Sequence, residues 1–262
     1  MPEAKQFIAS VRDHLQTDRA LLSQYTFLER DANLHLSKLG TVTTGPVQVF
    51  EIYPGLEPGD TYRRLIEEDG KPRDARDLAK DDTRRQKQVL DGLEQRKRET
   101  PDQREQRLRR QAEAQAKERL ELDDLGLVYQ FTLSERQQID GRSVIVIDFA
   151  PRPHPTPKTR VGEEMSKVRG RAWVSESDHQ LVRVDVEVLK DFGVAWSFGK
   201  VYSGSTASYE RTKINDEVWL PSRLRIKAAG RVLIRRFQVE SVTEYSKYRK
   251  FSVQTDTDFR PK

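Results

Sequence analysis

The sequence predicts a mainly β protein with added helix. About ten or eleven antiparallel strands form a strongly curling sheet, interrupted by a long charged helical insertion. Three observations carry this. The stretch 169–188 reads as two strands around Ser175-Glu176-Ser177-Asp178, whose short side chains bond back to their own backbone. Within it Val182, Val184, Val186 and Val188 alternate with Arg183, Asp185 and Glu187, giving one dry and one wet face. β-Branched valine suits a pleated strand, and similar segments recur between short turns, as in an antiparallel meander. Between 74 and 122 the alternation stops and strong helix formers take over.

Composition supports the division. Of 262 residues, 35% are hydrophobic and 34% charged, low and high for a compact globule, so part of the chain is expected to be solvated. Residues 71–122 hold 16 Lys/Arg and 12 Asp/Glu, most of the net excess of +5. Acids and bases are interleaved there, the pattern of a solvated helix with intrahelical ion pairs. Arg96-Lys97-Arg98 and Arg107-Leu108-Arg109-Arg110 lack interleaved aromatics, so no nucleic acid is expected. The absence of cysteine excludes disulfides, zinc-thiolate sites and a lipid-modified N-terminal cysteine. No apolar run approaches the ~20 residues of a membrane span. Met1-Pro2-Glu3 does not open a signal peptide, so a cytosolic protein or a mature form with its signal removed is expected.

Taken in order, residues 2–20 read as a helix with Phe7, Ile8, Val11 and Leu15 on one stripe, extended by Leu21 and Leu22. Strands follow at 25–37, 42–53 and 61–68. Lys38-Leu39-Gly40-Thr41 turns the first, and Pro54-Gly55 and Pro58-Gly59 break the second. Helices are expected at 74–98 and 101–121. Thr100 is the N-cap of the second, Pro101 its first residue, and Gln103 reaches back. Their apolar residues are too few to hold them deep in a core, so one seam and a wet remainder are expected. A strand at 127–139 leads to the hairpin turn Asp140-Gly141. The run 143–149, apolar on both faces, reads as a central strand covered on both sides. Four prolines in 151–157 force an extended loop. After the 168–188 hairpin, an aromatic stretch at 192–204 carries Phe192, Trp196, Phe198 and Tyr202. Strands at 206–213 and 218–227 flank Asn215-Asp216. In the second of these Pro221 marks an edge or bulge, and Leu224 and Ile226 face in while Arg223, Arg225 and Lys227 face out. Ala229-Gly230 is read as the next turn and 232–251 as the last strand.

No catalytic constellation is present. His14, His35, His154 and His179 have no metal spacing, and there is no phosphate-cradling loop or nucleophile elbow. No enzyme, cofactor or metal is expected.

An ordered set of segments resembles a known family. Glu29-Arg30, Tyr62-Arg63-Arg64-Leu65-Ile66-Glu67 with Asp69-Gly70-Lys71-Pro72, Asp148-Phe149-Ala150-Pro151-Arg152-Pro153 and Gly170-Arg171-Ala172-Trp173-Val174 look like periplasmic outer-membrane lipoprotein-sorting (LolA/LolB-like) proteins. So do Val218-Trp219-Leu220-Pro221-Ser222-Arg223 and Glu244-Tyr245-Ser246-Lys247-Tyr248-Arg249-Lys250-Phe251. The resemblance implies one domain over 1–262, a curved, incompletely closed antiparallel β-barrel with helices over its open face. Its parts would be an N-terminal helix (1–22), strands (24–70), the insertion (74–122), further strands (127–251) and a tail (252–262). It also implies a non-enzymatic periplasmic protein that holds acyl chains of a lipid or lipoprotein in its concave face. The alternative is a protein-interaction scaffold or envelope-stress sensor module that meets an envelope partner through 74–122. Candidate lipid-binding residues are Tyr129, Phe131, Ile147, Phe149, Trp173, Val184, Val186, Trp219, Ile226 and Phe237, all large apolar residues on strands; the two tryptophans are the strongest choices for a pocket rim. Arg171 and Arg223 are candidates to meet a headgroup, though a solvated strand face is the plainer reading for both.

Overall fold

The computed structural model describes residues 1–15, 22–36, 42–53, 61–194, 199–232 and 235–250. Helix α1 (Ala4–His14) is capped by Glu3, whose carboxylate accepts from the amides of Lys5 and Gln6. Strands β1 (Tyr25–Leu36), β2 (Val42–Thr44), β3 (Gln48–Tyr53), β4 (Tyr62–Glu68) and the short β5 (Lys71–Pro72) follow. Two long helices come next, α2 (Ala75–Lys97) and α3 (Pro101–Val128). The second opens with the expected capping box between Thr100 and Gln103, with Pro101 in its first turn.

The rest is strand apart from one short helix. Strands β6 (Tyr129–Ile139) and β7 (Arg142–Pro151) pair across Asp140-Gly141, both at positive φ. The proline-rich loop leads to α4 (Arg160–Met165), then to the hairpin of β8 (Val168–Ser175) and β9 (Leu181–Val188). Strands β10 (Phe192–Val194), β11 (Gly199–Val201), β12 (Thr206–Ile214), β13 (Val218–Val232) and β14 (Arg235–Lys250) complete the order.

All strand pairing is antiparallel, in the order β5-β4-β3-β1-β14-β13-β12-β9-β8-β7-β6. Strand β2 joins β1, and β11 joins both β10 and β13. The curved sheet does not close. Strands β5 and β6 lie at its two ends, and the α2–α3 insertion connects them in sequence. The first and last long strands pair in the middle of the order, so the sheet is not a plain meander.

Five sequence expectations change. Helix α3 runs seven residues beyond 121, because Asp124 and Val128 are fully buried and anchor its end. Ala229-Gly230 is not a turn: both residues pair with β14, opposite Gln238 and Phe237. Strand β7 is not central but next to the edge, although Val144, Ile145, Val146 and Ile147 are buried on both sides as expected. Val182 leaves the face of Val184 and Val186, because a bulge lies between Trp173 and Val174. The predicted bulge at Pro221 is present, between Glu210 and Arg211 on the facing strand. Among the described residues there are 14 strands rather than ten or eleven, because short β2, β5, β10 and β11 add to the long ones. The expected helix over 16–20 with Leu21, the turns at 38–41 and 54–59, Trp196, Phe198 and the tail lie outside the described residues.

Helix α1 packs on one face at the β6–β9 end, where Phe7 joins Ile145, Ile147 and Val174. Over the other face curls the tip of the β12–β13 hairpin. There Trp219 meets Val144 and Val182, and Arg211 donates to the carbonyls of Leu181 and Trp219. Asp178 accepts from the Trp219 indole and Lys213. Burial opposes its ionisation, but these bonds and one from Ser175 outweigh it and hold the carboxyl at about 2.

Candidate functional site

The register divides the side chains into two faces. On one, directly opposed residues run Phe131–Phe149–Gly170–Val186–Ala207–Ile226–Ser241, and beside them Ala172–Val184–Tyr209–Leu224–Thr243. This apolar face spans β6 to β14. Phe131, Phe149, Val184, Val186, Tyr209, Leu224, Ile226 and Phe237 are only half-buried. Tyr129 and Ile147 are buried. Tyr129 packs edge-on against Phe131 and Phe149, its hydroxyl donates to the Met165 carbonyl, and burial pushes it up to about 12.

Two glycines shape this face. Gly170 lies opposite Phe149 and Gly230 opposite Phe237. A Cβ on Gly170 would sit 2.5 Å from the Phe149 ring and 2.2 Å from the Asp185 carbonyl. On Gly230 it would sit 2.7 Å from the Phe237 ring and 2.2 Å from the Lys200 carbonyl. Each glycine therefore lets a phenylalanine ring lie over the neighbouring strand.

Eight of the ten predicted residues, Tyr129, Phe131, Ile147, Phe149, Val184, Val186, Ile226 and Phe237, share the apolar face. Trp173 and Trp219 do not. Trp173 opposes Val146 and Arg183, lies under the Arg183 guanidinium and donates to Gln137. Trp219 sits in the hairpin-tip cluster with Val144 and Val182. Trp173 takes that side by plain alternation with Arg171 in β8, and Trp219 is carried there at the tip of the β12–β13 hairpin. Ala207, Tyr209 and Leu224 complete the face without having been singled out as candidates. Their alternation was readable in the sequence, but their alignment with Val184, Val186 and Ile226 needs the register.

Towards β1, β3 and β4 the same face turns polar. Arg63 bridges Glu29 and Asp31 and lies 4.1 Å over the Phe50 ring. Burial pushes the Glu29 carboxyl up, against the pull of Arg63.

The opposite face is charged. One row runs Trp173–Arg183–Glu210–Arg223–Glu244–Arg30 in direct register, with ion pairs from Arg223 to both glutamates and from Arg30 to Glu244. A second runs Thr132–Asp148–Arg171–Asp185–Ser208–Arg225, with Arg171 bound to Asp148 at 2.7 Å. Arg171 and Arg223 thus face away from the apolar side and are held by carboxylates. An open groove of about 670 Å³ lies on this face between β6 and β13. Helix α2 also docks here, Asp82 accepting from Arg64 Nε and Nη2 and from the Tyr62 hydroxyl.

No group of three or more potential metal ligands occurs among the described residues, and no described helix is long and apolar enough to cross a membrane.

No family model matches the chain, and no curated protein matches it. Solved structures do. The chain is similar to an outer-membrane lipoprotein-sorting protein domain from Vibrio parahaemolyticus, at 8% identity and a TM-score of 0.37, with 98% of this chain and 97% of that one covered. It is also similar to a LolA superfamily protein from Nitrosomonas europaea, at 10% identity and a TM-score of 0.31, with 97% and 96% covered. A third likeness is to the MucA/MucB complex structure of Pseudomonas aeruginosa, at 8% identity and a TM-score of 0.23, with 95% and 99% covered.

Proposed function

We propose that this is a non-enzymatic periplasmic protein that holds acyl chains of a lipid or lipoprotein against the apolar face of its sheet. One observation carries the reading: the apolar face from β6 to β14 is continuous but only half-buried. Helix α1 covers its β6–β9 end through Phe7 and Val11. A single-layer sheet with such a face needs a second apolar partner. A long alkyl chain transferred from water contributes about 0.8 kcal/mol per methylene, enough to bind after ordering costs. Tyr129, Phe131, Ile147, Phe149, Val184, Val186, Ile226 and Phe237 would line the contact.

Titration with a fluorescent fatty acid tests the reading. Saturable binding is expected, with Phe131→Glu and Ile226→Glu each weakening it at least tenfold while the circular dichroism spectrum is kept. Non-saturable binding, or binding indifferent to both variants, defeats the proposal.

A second reading, a partner-binding insertion, has its own observation. Helix α2 buries no residue and α3 only Asp124 and Val128, and Leu90 and Leu108 are 54% and 51% exposed. The main tie to the sheet is the Asp82 cluster, a surface pairing of up to about 1 kcal/mol. Replacing 78–118 with an equally long Gly/Ser linker should therefore move the melting temperature by less than about 4 °C. Retained fatty-acid binding in that variant favours the sheet as the working surface. Its loss, with the fold intact, makes the insertion part of the function.

A further inference from the structure

The groove on the charged face has a composition that the apolar reading does not use. Along β12, between β9 and β13, it is lined by the short side chains of Thr206 and Ser208. On one side stands β9 with Asp185 and Glu187, on the other β13 with Arg225 and Lys227. The register aligns them into two parallel triplets, Asp185–Ser208–Arg225 and Glu187–Thr206–Lys227, each a carboxylate, a hydroxyl and a cation. The furrow therefore has an acidic wall, a hydroxyl floor and a basic wall.

Both walls keep unused capacity among the described residues. Arg225 is exposed and makes no hydrogen bond or ion pair there, unlike Lys227, which lies 3.2 Å from Glu240. On the acidic wall Arg183 donates to both Asp185 oxygens, at 2.9 and 2.7 Å, whereas Arg169 donates twice to Glu187 Oε2 and leaves its Oε1 to accept. Ser208 already donates to Asp185 at 2.7 Å, so its oxygen still accepts.

We infer that this furrow is a binding site for a small zwitterion: an ammonium group set against the Glu187 carboxylate and a phosphate or carboxylate on Arg225. An anion alone would meet one wall and leave the carboxylates opposite; a cation alone would meet the other and face Arg225. The site lies on the face opposite the proposed acyl surface and stands independently of it. The same chemistry occurs free, as in O-phosphoethanolamine, and as the headgroup of phosphatidylethanolamine.

Calorimetric titration of the full chain with O-phosphoethanolamine tests it, with inorganic phosphate and ethanolamine as single-charge probes. The zwitterion is expected to bind at least tenfold more tightly than either. Arg225→Gln and Glu187→Gln should each cost at least fivefold, while Phe131→Glu, on the other face, leaves the affinity unchanged. Co-sedimentation of Phe131→Glu with phosphatidylcholine vesicles, with and without phosphatidylethanolamine, separates the sources. A gain with phosphatidylethanolamine that Arg225→Gln removes assigns the site to a membrane headgroup; no gain, with free zwitterion still bound, assigns it to a soluble compound. Equal affinity for inorganic phosphate, no binding of O-phosphoethanolamine, or indifference to Arg225→Gln overturns the inference.

Discussion

Gly170→Ala lowers the melting temperature by about 4–12 °C, the consequence of about 2–3 kcal/mol lost to overpacking in a folded core. The added Cβ falls 2.2 Å from the Asp185 carbonyl and 2.5 Å from the Phe149 ring. The ring can swing; the carbonyl belongs to the β8–β9 ladder, where Gly170 opposes Val186, and cannot move without breaking pairing. The double variant Gly170→Ala/Phe149→Leu separates the two contacts. It should recover less than half of the loss, because the backbone clash remains. Full recovery would show that the ring alone was responsible, and an unchanged melting temperature for the single variant would mean that the two strands tolerate separation. Gly230→Ala has the same geometry against Lys200 and Phe237 and should behave alike.

Asp124→Ala is expected to free the end of α3 from the loop before α4. The Asp124 side chain is fully buried and accepts from the Lys158 amide at 2.7 Å, the Thr159 amide at 2.8 Å and the Thr159 hydroxyl at 2.6 Å. Gly162 completes the pocket, since a Cβ there would lie 2.2 Å from Asp124 Oδ2. Removing the buried carboxylate leaves three partly buried donors without their acceptor, a loss of about 3 kcal/mol. Hydrogen exchange should report it as faster exchange in the last turns of α3 and in α4. Unchanged protection there would show that Asp124 is not the anchor. The contact also depends on pH. Burial alone would raise the carboxyl, but the bonds from Thr159 and Lys158 outweigh it and hold it below the ordinary 3.8. A depressed folded-state value means that the stabilisation is fully present above about pH 4 and fades as pH falls through that lower value. The wild-type protein should therefore take on the exchange pattern of the variant in strong acid and not near neutrality.

These two residues mark where the sequence was opaque. Gly170 has a glycine's ordinary look in a strand, and only the ring and carbonyl brought beside it by pairing give it a task. Asp124 is one acid among many in a charged helix. Nothing local distinguishes it from Asp123, which is exposed and 3.9 Å from Arg12. Much else was legible because it depends on neighbours in the chain. Thr100, Pro101 and Gln103 begin a helix with groups within four residues of one another. Asp140 and Gly141 turn a hairpin because both accept positive φ. The alternation in β9 and β13 correctly separated Val184, Val186, Leu224 and Ile226 from Arg183, Asp185, Arg223 and Arg225.

The sequence by itself determined the kind of protein: a wet-and-dry antiparallel sheet and a solvated helical insertion. The period of two and the helix caps are short-range physics, and a short-range pattern survives in a one-dimensional record. Tertiary structure alone decided which strands are neighbours, and with that the pairing of β1 with β14 across the whole chain. It also decided that the bulge in β9 takes Val182 off the face of Val184 and Val186, that the tip of the β12–β13 hairpin brings Trp219 onto Val144 and Val182, and that acids, hydroxyls and cations from β9, β12 and β13 line up across a furrow. A bulge shifts every later side chain by one face and register couples residues far apart in sequence, so neither is written in local composition.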